Sequence, residues 1–208
     1  MDIAAIAALA PVVPVLTIER PADAVPLARA LVKGGLPVLE ITFRTEAALE
    51  ALRAIATEVP AAVVGAGTVL NEEQLEQAWR AGARFAVSPG CTQALAKAAQ
   101  AARLPFLPGI QTVSEAMELS AQGFKLLKFF PAEPGGGLDW LKAVAAPLAG
   151  LRFCPTGGIG AETAPAYLAL SNVACVGGSW VAPREAVASG DWPRIERLAA
   201  AAAALIRP

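Results

Sequence analysis

The sequence predicts a (β/α)8 TIM barrel, an α/β fold whose single parallel sheet closes on itself, and three observations predict it. Eight short apolar runs recur at near-even spacing. Each gap between them holds an Ala- and Leu-rich stretch with helical spacing. Several runs end in Gly, Pro, Ser or Thr, as tight strand-to-helix turns require. Strands alternating with helices in this way imply parallel pairing, and eight of them suffice to close a barrel.

The strands are placed at 11–16, 36–43, 61–68, 84–90, 105–110, 125–132, 152–158 and 173–179, with starts 20 to 27 residues apart. Helices fill the gaps, for example from Glu72 to Ala81 and from Thr92 to Arg103. Asn71, Thr92 and Ser114 lie near helix starts, where a short polar side chain caps free N–H groups. No linker or composition shift divides the chain, so residues 1–208 are expected to form one domain. The even period and the length of 208 residues argue against a two-domain doubly wound sheet.

Composition narrows the function. Hydrophobic residues make up 55% and charged residues 17%, which excludes an intrinsically disordered chain. The formal net charge is -1 with no long basic run, so neither nucleic acid nor an anionic membrane is an expected partner. Pro, Gly or charge interrupts every apolar stretch before the roughly 20 residues of a membrane span. The apolar N-terminus has no basic residue ahead of it, unlike a signal peptide, and the cytoplasm is the expected compartment. Cys91, Cys154 and Cys175 are too few and odd in number for a disulfide framework and read as small hydrophobes.

The chain contains no histidine. That excludes Ser–His and Cys–His catalysis. The three cysteines lack CxxC spacing, so no zinc site and no other metal centre is expected. Proton transfer falls to Glu, Asp, Lys, Tyr or water.

Chemistry in such a barrel sits at the C-terminal ends of its strands. In LPVLEITFR, side chains alternate between faces. Leu39, Ile41 and Phe43 suit a face under helices, which leaves Glu40, Thr42 and Arg44 pointing inward. Charge inside a barrel is costly unless paired or used, so the stripe is either a packing pair of Glu40 and Arg44 or part of a site. In KLLKFFPAE, Lys128 lies mid-strand on the face of Leu126 and Phe130. Apolar walls, with Arg44 near, disfavour its ammonium form and favour a nucleophilic free amine. The alternative is that Lys128 snorkels from a barrel end, as Lys125 is expected to do at the opposite, stability face. Lys33, Lys97 and Lys142 fall on helices and read as solvated.

Two glycine-rich ends, TGG at 156–158 and GGS at 177–179, close the last two strands, where barrels often bind phosphate through backbone N–H groups. EPGGG at 133–137 reads as a mobile loop. GAGT at 65–68 lacks the third glycine of a dinucleotide fingerprint.

The segments GGLPVLEITFRT, VGAGTVLN, FAVSPG, PFLPGI, KFFPAE, RFCPTGGI and GGSW fall on successive strands over nearly the whole chain. In this order they resemble the 2-keto-3-deoxy-6-phosphogluconate (KDPG) and 4-hydroxy-2-oxoglutarate aldolases, which are class I aldolases. The resemblance implies that Lys128 is the Schiff-base lysine and Glu40 the general acid and base. It implies that Arg44 and Thr68 hold the substrate carboxylate. Thr156, Gly157, Gly158, Gly178 and Ser179 would hold its phosphate, with Pro89 and Phe130 as pocket walls. It further implies a cytoplasmic homotrimer that uses no cofactor and acts on a small phosphorylated 2-keto-3-deoxy sugar acid in the Entner–Doudoroff pathway. Phe43 stands where the family often has Leu; it is on the outward face. Two other functions fit parts of the pattern. Cleavage of 4-hydroxy-2-oxoglutarate to pyruvate and glyoxylate needs the same amine and base but no phosphate site. A non-catalytic barrel, acting as a scaffold or phosphate-ligand binder, needs only the glycine loops.

Overall fold

The computed structural model describes residues 1–102 and 104–206. The expected helix end at Arg103 and the last two residues of the expected 1–208 domain lie outside the described residues. A short helix α1 (Ile3–Ala7) comes first, capped by the Asp2 carboxylate, which accepts from the Ala5 N–H at 2.7 Å. Strand β1 (Val12–Leu16) and helix α2 (Ala24–Lys33) follow, then β2 (Val38–Thr42), α3 (Ala48–Glu58), β3 (Val63–Gly67) and α4 (Glu72–Arg80). The middle of the chain supplies β4 (Ala86–Val87), α5 (Gln93–Ala101), β5 (Phe106–Leu107), β6 (Gly109–Ile110) and α6 (Val113–Ala121). The last part supplies β7 (Leu126–Phe129), α7 (Gly137–Val144), β8 (Arg152–Pro155), α8 (Ala164–Leu168), β9 (Val176–Gly178), α9 (Arg184–Ser189) and α10 (Trp192–Ala203).

Every expected strand therefore exists, each shorter at one or both ends than the apolar run that signalled it. The fifth is split in two, because Pro108 has no N–H to give a ladder. All pairings are parallel. One sheet runs β5-β4-β3-β2-β1-β9, and a second runs β6-β7-β8. The two meet through single bridges, Phe153 to Val173 and Thr156 to Gly177. The ladders thus form a six-stranded and a three-stranded parallel sheet rather than one continuous eight-stranded ring. Residues expected in strands but left out of the ladders, such as Ser88–Gly90 and Thr156–Gly158, build the loops that carry the site.

Alternation divides the buried residues into two layers. Leu16, Leu39, Ile41, Val64, Leu127, Phe129 and Phe153 belong to the large cluster shared with the helices. Val13, Val38, Phe85, Val87, Leu107, Leu126 and Cys154 form a smaller cluster on the other face, and Ile6 and Ala7 of α1 join it. Each buried aliphatic side chain contributes on the order of 2 kcal/mol. The first layer holds the helices on; the second packs the strands against each other at the end opposite the glycine loops. Lys125 is exposed at that end, beside Asp2, Ile3 and Arg152, as expected of a stability face.

Local signals explain the helix starts. Asn71 accepts from the Gln74 N–H at 2.9 Å and Thr92 from the Leu95 N–H at 3.2 Å, as expected. Ser114 is not a cap. Thr112 takes that place, because Glu115 three residues on completes a capping box with it. No described helix is long and apolar enough to cross a membrane.

Candidate active site

The site begins with two strand patterns. On β2, Leu39 and Ile41 are committed to the helix layer, so Glu40 and Thr42 must face the other way. On β7, Leu127 and Phe129 are committed likewise, and Lys128 shares the opposite face with Leu126. The two polar residues meet. Lys128 Nζ donates to Glu40 Oε1 at 3.0 Å, with only 6% and 4% of the side chains exposed. β2 and β7 belong to different sheets, so this contact spans the space between them.

Two buried ions cost several kcal/mol each to desolvate, and removing one partner typically costs about 3–5 kcal/mol. The sequence led us to expect apolar walls around the amine with Arg44 near, and a Glu40–Arg44 packing pair as the alternative reading of β2. The structure instead puts the Glu40 carboxylate against the amine and leaves Arg44 exposed beyond the end of β2. A carboxylate at hydrogen-bond distance is a direct acceptor for the ammonium proton. The Phe130 ring lies 5.4 Å from Lys128 Nζ and forms one wall.

Several neighbours shape this pair. Gly67 pairs with Thr42 in register, and a Cβ there would collide with the Glu40 carboxylate. Gly109 pairs with Lys128, and a Cβ there would collide with the backbone of Ser88 and Pro89. Pro89 is thus held against the strand beside Lys128, with the fully buried Ser88 hydroxyl accepting from the Gly109 N–H at 3.2 Å. Sequence reasoning missed Gly67, Gly109 and Ser88. The signal for the glycines was a glycine in mid-strand, which marks close approach.

Thr68 follows β3 with φ of 58°, the one non-glycine residue with positive φ among those described. A β-branched residue held there stores strain, a feature that clusters at functional sites. Arg44 lines a cavity of about 340 Å³ with Thr17, Ser179 and Arg184. The strand order explains the company, since β2, β1 and β9 are neighbours. Thr42 donates to the Leu16 carbonyl at 2.9 Å and sits 3.2 Å from the Thr17 hydroxyl, which ties β2 to the end of β1 beside that cavity.

The glycine loops form a second subsite. Gly157 and Gly158 have φ of 104° and 85°, a conformation that glycine adopts at no steric cost. A Cβ at Gly178 would collide with the Trp180 ring, and one at Gly177 with the buried Thr156 hydroxyl. The N–H groups of Gly157, Gly158 and Ser179 donate to no carbonyl or side chain among the described residues. Free amides from two adjacent loops make a cradle for an anion.

The 133–137 segment, expected to be mobile, is tied down. The Ala132 and Glu133 amides donate to the Thr156 and Gly157 carbonyls at 2.8 and 3.0 Å, and the Gly137 amide to the Ala132 carbonyl at 2.9 Å. The Tyr167 hydroxyl donates to Glu133 Oε1 at 2.7 Å. Burial, then the Glu133 hydrogen bond, pushes the Tyr167 pKa well above the usual phenol range. Nothing in the sequence pattern pointed to Tyr167 as this support.

The cysteines take the expected packing role. Cys154 and Cys175 are buried; Cys91 is half-buried, and burial with the nearby Glu118 charge pushes its thiol up to about 11. Such a thiol is unreactive near neutral pH. Among the described residues, no three His, Cys, Asp or Glu side chains cluster as metal ligands would.

With this geometry in view, the family model "KDPG and KHG aldolase" matches residues 3–198. The chain belongs to the KDPG and KHG aldolase family. It is 54% identical to the KHG/KDPG aldolase of Escherichia coli K12 over 91% of this chain and 89% of that one. It is 55% identical to the 2-dehydro-3-deoxy-phosphogluconate aldolase of Dickeya dadantii over 93% and 91%. Among solved structures it resembles KDPG aldolase from Legionella pneumophila, which holds pyruvate as a covalent carbinolamine. That match has a TM-score of 0.96 at 44% identity over 98% of this chain and 99% of the other. A Zymomonas mobilis KDPG aldolase solved with 3-phosphoglycerate matches at TM-score 0.94 and 50% identity over 99% and 97%. Like its aldolase family, the chain is a carbon–carbon lyase.

Proposed function

We propose that the chain cleaves 2-keto-3-deoxy-6-phosphogluconate to pyruvate and glyceraldehyde 3-phosphate through a Schiff base on Lys128. The observation that carries this reading is the buried Lys128–Glu40 contact at 3.0 Å. Glu40 takes a proton from the ammonium and frees the amine. The amine adds to the C2 keto group, Glu40 returns its proton to the departing hydroxyl, and water leaves, giving a protonated imine and restoring the Glu40 carboxylate. That cation is an electron sink next to the bond to be broken. Glu40, directly or through water, then removes the C4 hydroxyl proton. The C3–C4 bond breaks, its electrons pass into the imine, and the aldehyde departs. The enamine left behind takes a proton at C3, and hydrolysis releases pyruvate and the free lysine. The imine supplies the activation that a metal ion supplies in other aldolases, so the scheme needs no cofactor.

Arg44 and Thr68 hold the carboxylate. The free amides of Gly157, Gly158 and Ser179, with Gly178 and Thr156, hold the phosphate. Pro89 and Phe130 wall the pocket between them. The same proposal extends to the whole molecule. One domain folds as a closed (β/α)8 barrel, supported by the bridges between β8 and β9 and by a Lys128–Glu40 contact that crosses from one sheet to the other. The chain works in the Entner–Doudoroff pathway in the cytoplasm. It assembles as a homotrimer, for which the exposed Leu70, Trp79, Val113 and Met117 offer apolar surface.

A coupled assay of pyruvate release tests this. We expect stoichiometric pyruvate from the 6-phosphogluconate substrate, and a higher kcat/KM for it than for 4-hydroxy-2-oxoglutarate. Pyruvate from 4-hydroxy-2-oxoglutarate alone would replace the proposed substrate by that one. No pyruvate from either substrate would return the chain to a non-catalytic binder.

A further inference from the structure

The anion cradle has one deficiency for a phosphate dianion: it is made of neutral amides and hydroxyls. Lys128 is engaged with Glu40. Arg20 is held by both Asp23 carboxylate oxygens at 2.8 Å. Arg44 lines the cavity from β2, on the side assigned to the carboxylate. One further cation lines that cavity beside Ser179, and it is Arg184. The turn after β9 places it there, closed by the Ala182 N–H donating to the Ser179 carbonyl at 3.1 Å. Arg184 also lines an adjoining cavity with Thr17, Glu19 and Arg20, so its side chain stands on the ridge between the two.

Its present partner is Glu19, at 2.9 Å, with 87% of the arginine and 58% of the glutamate side chain exposed. An ion pair so open to water contributes little. A phosphate offers more charge and a matching fork of oxygens, and charge-assisted bidentate contacts of that type are the stronger ones. Resting on the phosphate assignment above, we propose that Arg184 exchanges Glu19 for the substrate phosphate and sets the preference for phosphorylated over unphosphorylated substrates. Glu19 is the competing anion that holds Arg184 on the cavity it shares with Ser179 until substrate arrives. Arg184 touches none of the reacting atoms, so it acts on binding and not on bond cleavage.

The test compares wild type, Arg184→Ala, Arg184→Lys and Glu19→Gln on the phosphorylated substrate and on 4-hydroxy-2-oxoglutarate, with inorganic phosphate as a competitive probe. Arg184→Ala should raise KM for the phosphorylated substrate about fivefold and weaken phosphate inhibition by a similar factor, the size of one exposed charge-assisted contact. Its kcat, and both constants for 4-hydroxy-2-oxoglutarate, should not change. Arg184→Lys should recover part of the loss, and Glu19→Gln should lower KM for the phosphorylated substrate. An unchanged preference in Arg184→Ala, or an equal loss on both substrates, overturns the role of Arg184 while leaving the phosphate assignment intact. A wild-type enzyme that neither prefers the phosphorylated substrate nor binds inorganic phosphate overturns both.

Discussion

Lys128 and Glu40 are a buried ion pair that neither residue could sustain alone. Their separation is set by the residues that make room for them. Gly67 is the one that bears on the base itself, since a side chain there displaces the Glu40 carboxylate. Gly67→Ala should therefore leave the amine able to form an imine but move the base. Displacing a catalytic group by about 1 Å costs on the order of 10²-fold in rate. Steady-state turnover should fall by about that factor while pyruvate still forms a reducible adduct. Near-normal turnover would mean that Glu40 tolerates the shift and is not the base. At this scale the sequence was informative about identity and less so about geometry. Alternation on β2 and β7 selected Glu40 and Lys128, because each has apolar neighbours committed to the helix layer. Arg44 lies past the last paired residue of β2 and is exposed where it lines its cavity, a setting that alternation along the strand does not describe.

At the scale of elements, caps and loop anchors decide the outcome. The α6 start illustrates the difference between a residue type and a motif. Ser114 is an acceptable cap by type, yet Thr112 with Glu115 satisfies two orphan donors reciprocally and prevails. Burial raises the Glu115 pKa, but the amides of Gln111 and Thr112 and the Thr112 hydroxyl outweigh it, and the net shift is downward. A folded-state pKa below the unfolded value contributes stability above the unfolded carboxylate range and loses it as pH falls through the folded value. Urea midpoints for wild type and Glu115→Gln should therefore differ at neutral pH and converge as pH falls through about 4 and below. A difference that persists unchanged at acid pH would show that the ionised box contributes nothing. The 133–137 segment carries the same lesson. Its glycines read as mobile because glycine lowers the cost of disorder, whereas hydrogen bonds to β8's loop and a tyrosine over thirty positions away hold it. Such long-range anchors leave no local trace.

At the scale of the whole molecule, the repeat of apolar runs was enough to place eight strands, because a parallel strand buried on both faces must be almost continuously apolar. The run at 105–110 was read as one strand, and the structure breaks it at Pro108, a residue with no N–H to give a ladder. What periodicity could not supply was the meeting of positions 40 and 128, which are 88 residues apart. That meeting brings a strand of the three-stranded sheet against one of the six-stranded sheet, and it gives the fold its proposed activity. Incubating the protein with pyruvate and borohydride, then mapping the modified peptide by mass spectrometry, tests this directly. One reduced adduct per chain is expected on Lys128, and none in Lys128→Met. An adduct on Lys125 or any other lysine, or no adduct at all, would contradict it.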